Sequence, residues 1–421
     1  ALTAGDDTPP SRQTPGSRQI PEPPPIPLRA DSPEALLTIV PHLLGFAPRT
    51  SLVVIGTTRS GDRIKVTLRY DLPDPPGAGI AADLAAHAVG VLASQELTTL
   101  VAVGYGSRAL VDPVAQALLA AAGPAGIDIG DILRVEGRRY WSYLCTEQAC
   151  CPPAGTPFAA DSQAAFALAR AGGQVLADRA AVAARVAPLG GIAAESMRQA
   201  TRRAERHVRQ LLARVRKSSR LGAARRMIAA EGLNAVGSMI GTYRSGGRYA
   251  TDYQLAWITV ALRDLRVRDD AWARMDPDHA DAHRRLWTDL TRRAQPGYVA
   301  APASLLAFVA WQSGDGALAN VALDRALADD PQYSMAQLLR QVITAGTPPS
   351  LARLPMTPEE VAASYDEADE EVGEDEDHGL DPDFPDPDPD FPGPHLDIPD
   401  PDPDFPDPDL DVPDPDPPCA P

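Results

Sequence analysis

The sequence predicts an α/β domain with a mixed sheet and helical crossovers, followed by an all-α, tetratricopeptide-like helical domain. Strand-type and helix-type hydrophobic patterns alternate over residues 31–160, as in strands that are joined by helices. From 161 to 350 only helical periodicity is found. The Pro-rich segment 1–30 and the acidic, Pro/Asp-rich segment 351–421 have the composition of disordered arms. These four segments are the predicted domain organisation.

The first ordered element is expected to be a short helix. The sequence D-S-P-E supplies Asp31 as the cap, Pro33 in the first turn and Glu34 three residues after the cap. Because the residue before a proline is pushed out of the helical region, we expect this helix to end near Val40, just before Pro41.

The sheet is predicted from two neighbouring strand patterns and the segments that follow them. The runs 51–56 and 63–70 are separated by a Gly-containing connection of hairpin length, and the second run alternates apolar with polar residues. The pattern then predicts a helix at 80–94, a strand at 97–103, a helix at 109–122, and strands at 129–136 and 139–145. This order implies at least two parallel crossovers within a mixed sheet.

The clearest helical unit is a hairpin at residues 304–331. Its turn contains Gly314 and Asp315, and Ala319, Ala326 and Pro331 stand at the offsets of a tetratricopeptide hairpin. Small alanine side chains allow two antiparallel helices to approach closely. Only one copy is evident, and a solenoid needs about three, so we expect a single hairpin within a helical array.

The net charge of −18 belongs to the tail. Residues 357–421 hold 25 acidic side chains and no Lys or Arg, which leaves 32 acidic against 39 basic side chains, a charge of +7, in the rest of the chain. Residues 381–415 read as five heptads of the type D-P-D-F-P-D-P. Proline and like charge favour an extended polyproline II chain that presents separate apolar anchors, a pattern typical of multivalent binding. A purely solubilising tail is the alternative.

The segment 198–226 is strongly basic, with Glu205 as its only acid. An apolar 3-4 stripe predicts that this helix docks one side and presents arginines elsewhere. The stripe comprises Met197, Ala200, Ala204, Val208, Leu211 and Val215. The predicted basic face comprises Arg198, Arg202, Arg206, Arg209, Arg216 and Arg220. Such a face binds polyanions weakly or is simply solvated, and we expect the acidic tail of the same molecule to contact it transiently.

The stretch 138–153 carries the densest chemistry, with Cys145, Cys150 and Cys151 in a C-x4-C-C pattern. Buried structural thiols, a redox or nucleophilic Cys145, and a soft-metal site are three open interpretations. The usual C-x2-C spacing is absent and adjacent cysteines chelate one ion with difficulty, so we expect no bound metal. The candidate ligand-binding side chains of this stretch are Arg139 and Trp141.

A second candidate is the turn V-A-V-G-Y-G-S-R-A at 101–109, which follows a strand and precedes a helix. Gly104, Gly106 and Arg108 stand where backbone N–H groups receive a phosphate in nucleotide-binding folds. An ordinary strand-to-helix turn is the alternative, because the motif is degenerate.

His279 and His283 stand four positions apart, at i and i+4, but lack the glutamate of the H-E-x-x-H motif. We therefore expect them to lie on a solvated helix face and not to bind a metal.

Three stretches resemble one family. They are S-P-E-A-L-L-T-I-V-P-H-L-L-G-F-A-P-R-T-S-L-V-V at 32–54, R-R-Y-W-S-Y-L-C-T-E-Q-A-C-C-P-P-A-G-T-P at 138–157, and A-F-V-A-W-Q-S-G-D-G-A-L-A-N-V-A-L-D-R-A-L at 307–327. Together they resemble the actinobacterial family catalogued as domain of unknown function 4192, over about residues 30–350. The resemblance implies no particular activity, cofactor or ligand.

These observations favour a non-catalytic role. There is no run of about 18 apolar residues, no signal-peptide pattern and no secretory cysteine framework, so we expect a cytoplasmic protein with reduced thiols and no membrane contact. The P-loop, G-x-S-x-G and kinase signatures are missing. The expected function is an interaction or regulatory scaffold with protein partners, a multivalent acidic tail and no cofactor. The alternative is a nucleotide-dependent or thiol enzyme that uses the Gly104–Arg108 turn and Cys145.

Overall fold

A computed structural model describes residues 32–58, 63–74, 79–159, 165, 168, 175–216, 221–247, 250–349 and 356–375. The chain up to Asp366 forms one compact unit, and the chain from Glu367 belongs to a second. The predicted arm at 1–30 and the heptads at 381–415 lie outside the described residues.

One six-stranded mixed sheet organises the amino-terminal region, in the order β2-β1-β3-β4-β5-β6. Strand β1 is antiparallel to both β2 and β3, β3 is parallel to β4, and β5 and β6 continue the sheet in antiparallel pairs. The strands are β1 Ser51–Thr57, β2 Val66–Asp71, β3 Thr99–Tyr105, β4 Asp128–Glu136, β5 Arg139–Ser142 and β6 Thr156–Pro157.

Helices cover both faces of this sheet. They are α1 Pro33–Leu44, α2 Ile80–Ser94 and α3 Arg108–Ala122. All residues of β1 are buried; Leu52 and Val54 pack towards α2 and α3, whereas Val53 and Ile55 pack towards α1. Since β2 and β3 are both antiparallel to β1, they are parallel to each other. Helix α2 connects β2 to β3 across β1, and α3 connects β3 to its parallel neighbour β4. The predicted mixed sheet with two helical crossovers is confirmed.

Helix α1 differs from its prediction at both ends. Ser32, not Asp31, caps it, with its hydroxyl oxygen accepting a hydrogen bond from the Ala35 N–H at 3.1 Å. The expectation that it ends near Val40 is wrong, because the helix continues through Pro41 to a left-handed Gly45 with φ of 74°. Proline removes one helical hydrogen bond. The apolar side that α1 buries against the sheet outweighs that loss.

The carboxyl-terminal region is helical, and no described helix is both long and apolar enough to cross a membrane. Its helices are α4 Arg179–Ala184, α5 Gly191–Arg216, α6 Leu221–Arg244, α7 Asp252–Ala261, α8 Leu265–Ala273, α9 Ala280–Arg293, α10 Ala300–Gln312, α11 Gly316–Asp329, α12 Ser334–Thr344 and α13 Pro358–Asp375. The hairpin expected at 304–331 is formed by α10 and α11. Gly314 (φ of 79°) makes its turn, and Asp315 caps α11 by accepting from the Leu318 N–H at 3.0 Å.

Helix α13 lies in the segment that the sequence assigns to the acidic tail. Thr357 and Glu360 form a reciprocal cap: the Thr357 N–H donates to Glu360 at 2.7 Å and the Glu360 N–H donates to the Thr357 hydroxyl at 3.2 Å. Val361 is buried, and the Tyr365 hydroxyl donates to Asp269 at 2.7 Å. The start of the acidic segment therefore packs on the helical region, because a local cap and one apolar residue give it a docked side.

Two contacts tie the sheet region to the helical region. Phe46, just after α1, forms a parallel bridge with Leu176 and belongs to the helical core. Gln95, at the end of α2, donates through Nε2 to the carbonyl of Gly346, after α12. Both regions lie within the unit that ends at Asp366.

His283 is buried, so the expectation of a solvated histidine pair is wrong for this residue. Only 1 % of it is exposed and neither ring nitrogen has a hydrogen-bond partner, whereas His279 is exposed and 2.7 Å from Asp276. Burial, with a smaller contribution from Arg244, lowers the pKa of His283 to about 4. The ring is therefore neutral in the folded protein at neutral pH.

His283 is expected to make stability depend on pH. Its pKa is about 4 in the folded protein and 6.5 as an unperturbed group, so the unfolded chain binds a proton that the folded chain rejects. Stability should fall as pH drops from about 6.5 to about 4, by about 3 kcal/mol at most. Asp276 acts to raise the pKa of this ring, and His279 acts to lower it. Urea unfolding across this range, compared with His283→Leu, isolates the effect; equal pH slopes in the two proteins would contradict it.

Gly104 is required by the packing of β3 against α3. A Cβ at this position would overlap Cγ1 of Val111. We expect Gly104→Ala to lower the free energy of unfolding by about 1 to 3 kcal/mol, measured by urea titration and circular dichroism. Val111→Ala in the same chain should recover part of that loss, which a double-mutant cycle measures.

Gly90 is the matched control. It lies inside α2, is exposed, and has no atom near the position of an added Cβ. Gly90→Ala should stabilise the protein by about 0.5 to 1 kcal/mol through helix propensity alone. Equal effects of the two glycine substitutions would exclude a packing role for Gly104.

Candidate functional site

Three cysteines lie in the loop that joins β5 to β6 at the edge of the sheet. The ends of this loop are closed because Tyr140 pairs with Thr156 and Arg139 pairs with Pro157. The Phe158 N–H also donates to the carbonyl of Arg138 at 3.1 Å. The thirteen residues that join β5 to β6, 143–155, thus leave the sheet and return to it beside β5.

The loop brings the three thiols together. The Sγ atoms of Cys145 and Cys150 are 2.9 Å apart, those of Cys150 and Cys151 are 3.7 Å apart, and all three lie within 4.8 Å of one another. Cys150 is exposed and the other two are half-buried. The expected burial of these thiols is therefore wrong, because the loop that leaves the sheet edge exposes Cys150 and only half-buries the other two; whether their role is structural stays untested.

The thiols differ in acidity because they are hydrogen-bonded to one another. Hydrogen bonds from Cys150 and Cys151 lower the pKa of Cys145, which is the thiol best able to exist as thiolate. The bond to Cys145 raises the pKa of Cys150, and the same interaction raises the pKa of Cys151 to about 12. Cys145 is therefore the thiol of the three whose thiolate form its neighbours stabilise.

Trp141 and Arg139, which were candidate ligand-binding residues, hold the loop backbone. The Trp141 Nε1–H donates to the carbonyl of Pro153 at 3.1 Å, and Arg139 donates to the carbonyl of Gly155 at 2.7 Å. Gly155 has a φ of 78°, and a Cβ there would lie 2.5 Å from the Trp141 ring. Arg134 covers that ring, with its guanidinium carbon 3.7 Å from the ring centroid. These contacts occupy both side chains.

Ser142 sets the start of the loop. Its hydroxyl donates to Asp131 at 2.7 Å and accepts from the backbone N–H groups of Leu144 and Cys145, both at 3.1 Å. The Cys151 N–H donates to the carbonyl of Glu147 at 2.8 Å. Two short hydrogen-bonded turns therefore place Cys145 opposite the Cys150–Cys151 pair.

The Gly104–Arg108 turn is occupied by packing and ion pairing. Gly104 lies against Val111, the Gly106 N–H donates to the carbonyl of Val135 at 2.9 Å, and the Arg108 side chain is 2.8 Å from Asp112. The geometry is that of a strand-to-helix turn.

The turn and the thiols are anchored at different places on β4. The Gly106 N–H is hydrogen-bonded to the carbonyl of Val135, whereas the Cys145 N–H is hydrogen-bonded to Ser142, which in turn donates to Asp131. Val135 and Asp131 are four residues apart, or about 13 Å along the strand. Neither Arg108 nor Cys145 lines either of the two described cavities, whose volumes are about 910 and 220 Å³.

A link between these two places was not predicted from the sequence. The Tyr143 hydroxyl donates to Asp112 at 2.5 Å, and Asp112 also pairs with Arg108. Burial acts to raise the pKa of Asp112, but hydrogen bonds from Tyr143 and Arg108 lower it overall. Because 31 residues separate the two side chains, no local spacing could indicate this contact.

The thiol group consists of three residues, and no His, Asp or Glu of the described segments joins it. Structural zinc sites are closed by four ligands, so three sulfurs leave the coordination incomplete. The absence of a bound metal stays a prediction.

The basic helix has the two sides that the sequence predicts. Met197, Ala200, Ala204, Val208 and Leu211 are buried. Arg198, Arg202, Arg206 and Arg209 are exposed. Arg198 pairs with Glu195, while no carboxylate in the described part of the chain lies within 4 Å of Arg202, Arg206 or Arg209. The side chains of Val215 and Arg216, and all of Arg220, lie outside the described residues.

Comparison with known proteins gives one match. The model of the family described as Domain of unknown function (DUF4192) matches residues 33–350. The comparisons with curated proteins and with solved structures found no match. The matched range contains both the thiol loop and the basic helix, and it covers most of the sequence. The chain therefore belongs to the family Domain of unknown function (DUF4192).

Proposed function

We propose that the protein is a non-catalytic interaction scaffold that docks an acidic protein segment on α5. The observation that carries this proposal is the row formed by Arg202, Arg206 and Arg209, which is exposed and has no acidic partner among the described residues. Most other arginine contacts of the helical region are ion pairs, as between Arg340 and Asp324 at 2.6 Å. The unpaired row is therefore available to an external anion.

The row is presented on a rigid support. The opposite side of α5 belongs to the helical core, so the three guanidinium groups stand on one side of a fixed helix over about 10 Å. A guanidinium binds a carboxylate through two parallel hydrogen bonds. An acidic chain lying along the helix axis would meet all three arginines.

An enzymatic role has less support from the geometry. The thiols and the glycine turn are anchored about 13 Å apart on β4, and Arg108 is engaged by Asp112. Trp141 and Arg139 hold the loop backbone. Arg108, Arg139 and Trp141 are thus each engaged in contacts within the fold.

A protein segment fits this surface better than single-stranded nucleic acid. Nucleic-acid grooves of that kind combine basic groups with aromatic rings on which bases stack. The aromatic ring beside this face, Tyr253, is already covered by Arg203, whose guanidinium carbon is 4.7 Å from the ring centroid. Among the described residues, this contact leaves the face of the Tyr253 ring occupied and not free for a base to stack on.

Neutralising the row should weaken binding of an acidic peptide. We expect the triple variant Arg202→Gln, Arg206→Gln and Arg209→Gln to bind a fluorescent Asp/Glu-rich peptide about tenfold more weakly at low salt, since each exposed pair contributes below about 1 kcal/mol. Fluorescence anisotropy at several salt concentrations measures the affinity. The difference should shrink as salt rises, because these charges are screened.

A second triple variant controls for net charge. Arg49, Arg63 and Arg138 are exposed arginines of the sheet region, and replacing all three by Gln removes the same charge from another surface. This variant should bind the peptide like the wild type. Equal loss in both variants would show a general charge effect, and tighter binding of single-stranded DNA than of the peptide would reject a protein partner.

A chain that ends at residue 375 tests whether the acidic tail competes with the peptide for this face, as the sequence predicts.

A further inference from the structure

We propose that Cys145 and Cys150 are a dithiol site that undergoes exchange with accessible disulfides, forming a reversible Cys145–Cys150 bridge. The site lies outside the basic face and does not depend on the scaffold role. Three arguments support it: the position of the sulfurs, their access to solvent, and the chemistry of the neighbouring thiol.

The sulfurs are already close to bonding distance. Their separation of 2.9 Å must contract by less than about 1 Å to reach the length of a disulfide bond. The residues between them form a solvent-exposed turn, whereas Ser142 and Trp141 fix the beginning and the end of the loop. Movement within the turn can therefore close the bond without disturbing the sheet.

The third thiol is less well placed to form the bridge. Cys150 and Cys151 are adjacent in sequence and their sulfurs are 3.7 Å apart. A bridge between adjacent cysteines closes an eight-membered ring that strains the planar peptide bond between them. The Cys145–Cys150 pair is closer and closes a larger ring, so this pair is favoured.

The site is open to a reagent from solvent. Cys150 is exposed and Cys145 is half-buried, and neither described cavity is lined by a thiol. An unenclosed site does not select a substrate by a deep pocket. It accepts disulfides that are sterically accessible, either in small thiol compounds or on the surface of a protein.

The exchange is balanced in two steps. The Cys145 thiolate attacks one sulfur of R–S–S–R; the S–S bond breaks, a mixed disulfide forms, and the released R–S⁻ takes up the proton that Cys145 gave. Cys150 then loses its proton and attacks the Cys145 sulfur, which releases the second thiolate, and that thiolate takes up the Cys150 proton. Overall the protein loses two hydrogen atoms, the external disulfide gains them, and no other oxidant is needed.

Cys151 supports this chemistry without entering the bridge. Its hydrogen bond to Cys145 stabilises the attacking sulfur, and its own pKa is raised to about 12, so it stays protonated at neutral pH. Serine retains a hydrogen-bond donor at this position, which makes Cys151→Ser a conservative variant.

Oxidised glutathione and peptide mapping test the proposal. The full chain carrying Cys419→Ser is treated with oxidised glutathione, alkylated, and cleaved after Arg, Lys and Glu. Glu147 lies between Cys145 and Cys150, so the proposed bridge joins Tyr140–Glu147 to Gln148–Arg170, with a mass about 2 Da below the sum of the reduced peptides. Only Cys151 should be alkylated.

Variants assign the two steps. Cys150→Ser should accumulate the glutathione mixed disulfide at Cys145, Cys145→Ser should form no bridge across Glu147, and Cys151→Ser should still form it. The proposal is overturned by a Cys150–Cys151 bridge, by a stable mixed disulfide in the parent chain, or by about one equivalent of zinc that protects the thiols from exchange. Circular dichroism of each variant separates a lost bridge from a lost fold.

Discussion

Burial of β1 on both faces is the constraint on which the sheet region depends. A strand with apolar side chains on alternate sides must be covered twice, and α1 covers one face while α2 and α3 cover the other. Close contact between Gly104 and Val111 then sets how α3 lies on β3. The same three layers leave β5 and β6 at an edge, which is where a long excursion from the sheet disrupts no core contact.

The thiol loop uses that edge. Trp141 lies within β5 and Ser142 is its last residue, so their hydrogen bonds fix the loop that follows relative to the strand. The sulfurs therefore have a defined geometry although they lie at the surface. An exposed group held in this manner suits exchange with a partner from solution better than reaction inside a closed pocket.

The helical region differs in residue type between its core-facing side and its outer side. In α5 the residues that face the core are small or apolar, and the arginines beyond them have few acidic neighbours. In α9 the core side carries His283, Trp287 and Thr291, which are buried with side-chain atoms that lack hydrogen-bond partners. A buried polar group without a hydrogen bond costs stability, and a buried charge costs far more, so burial keeps His283 in its neutral form.

Local sequence patterns by themselves determined much of the secondary structure of this protein. The alternation of strand and helix periods predicted the mixed sheet, the 3-4 stripe predicted the buried side of α5, and Gly314 with Asp315 predicted the turn between α10 and α11. Each of these signals depends on residues within a few positions of one another. Only the tertiary structure decided the rest: α1 continues past Pro41 because the sheet supports it, His283 is buried by helices distant in sequence, and Tyr143 reaches Asp112 across 31 residues. The three sulfurs meet on the surface because a strand edge, Trp141 and Gly155 bend the loop back, and such long-range packing leaves no periodic trace in the sequence.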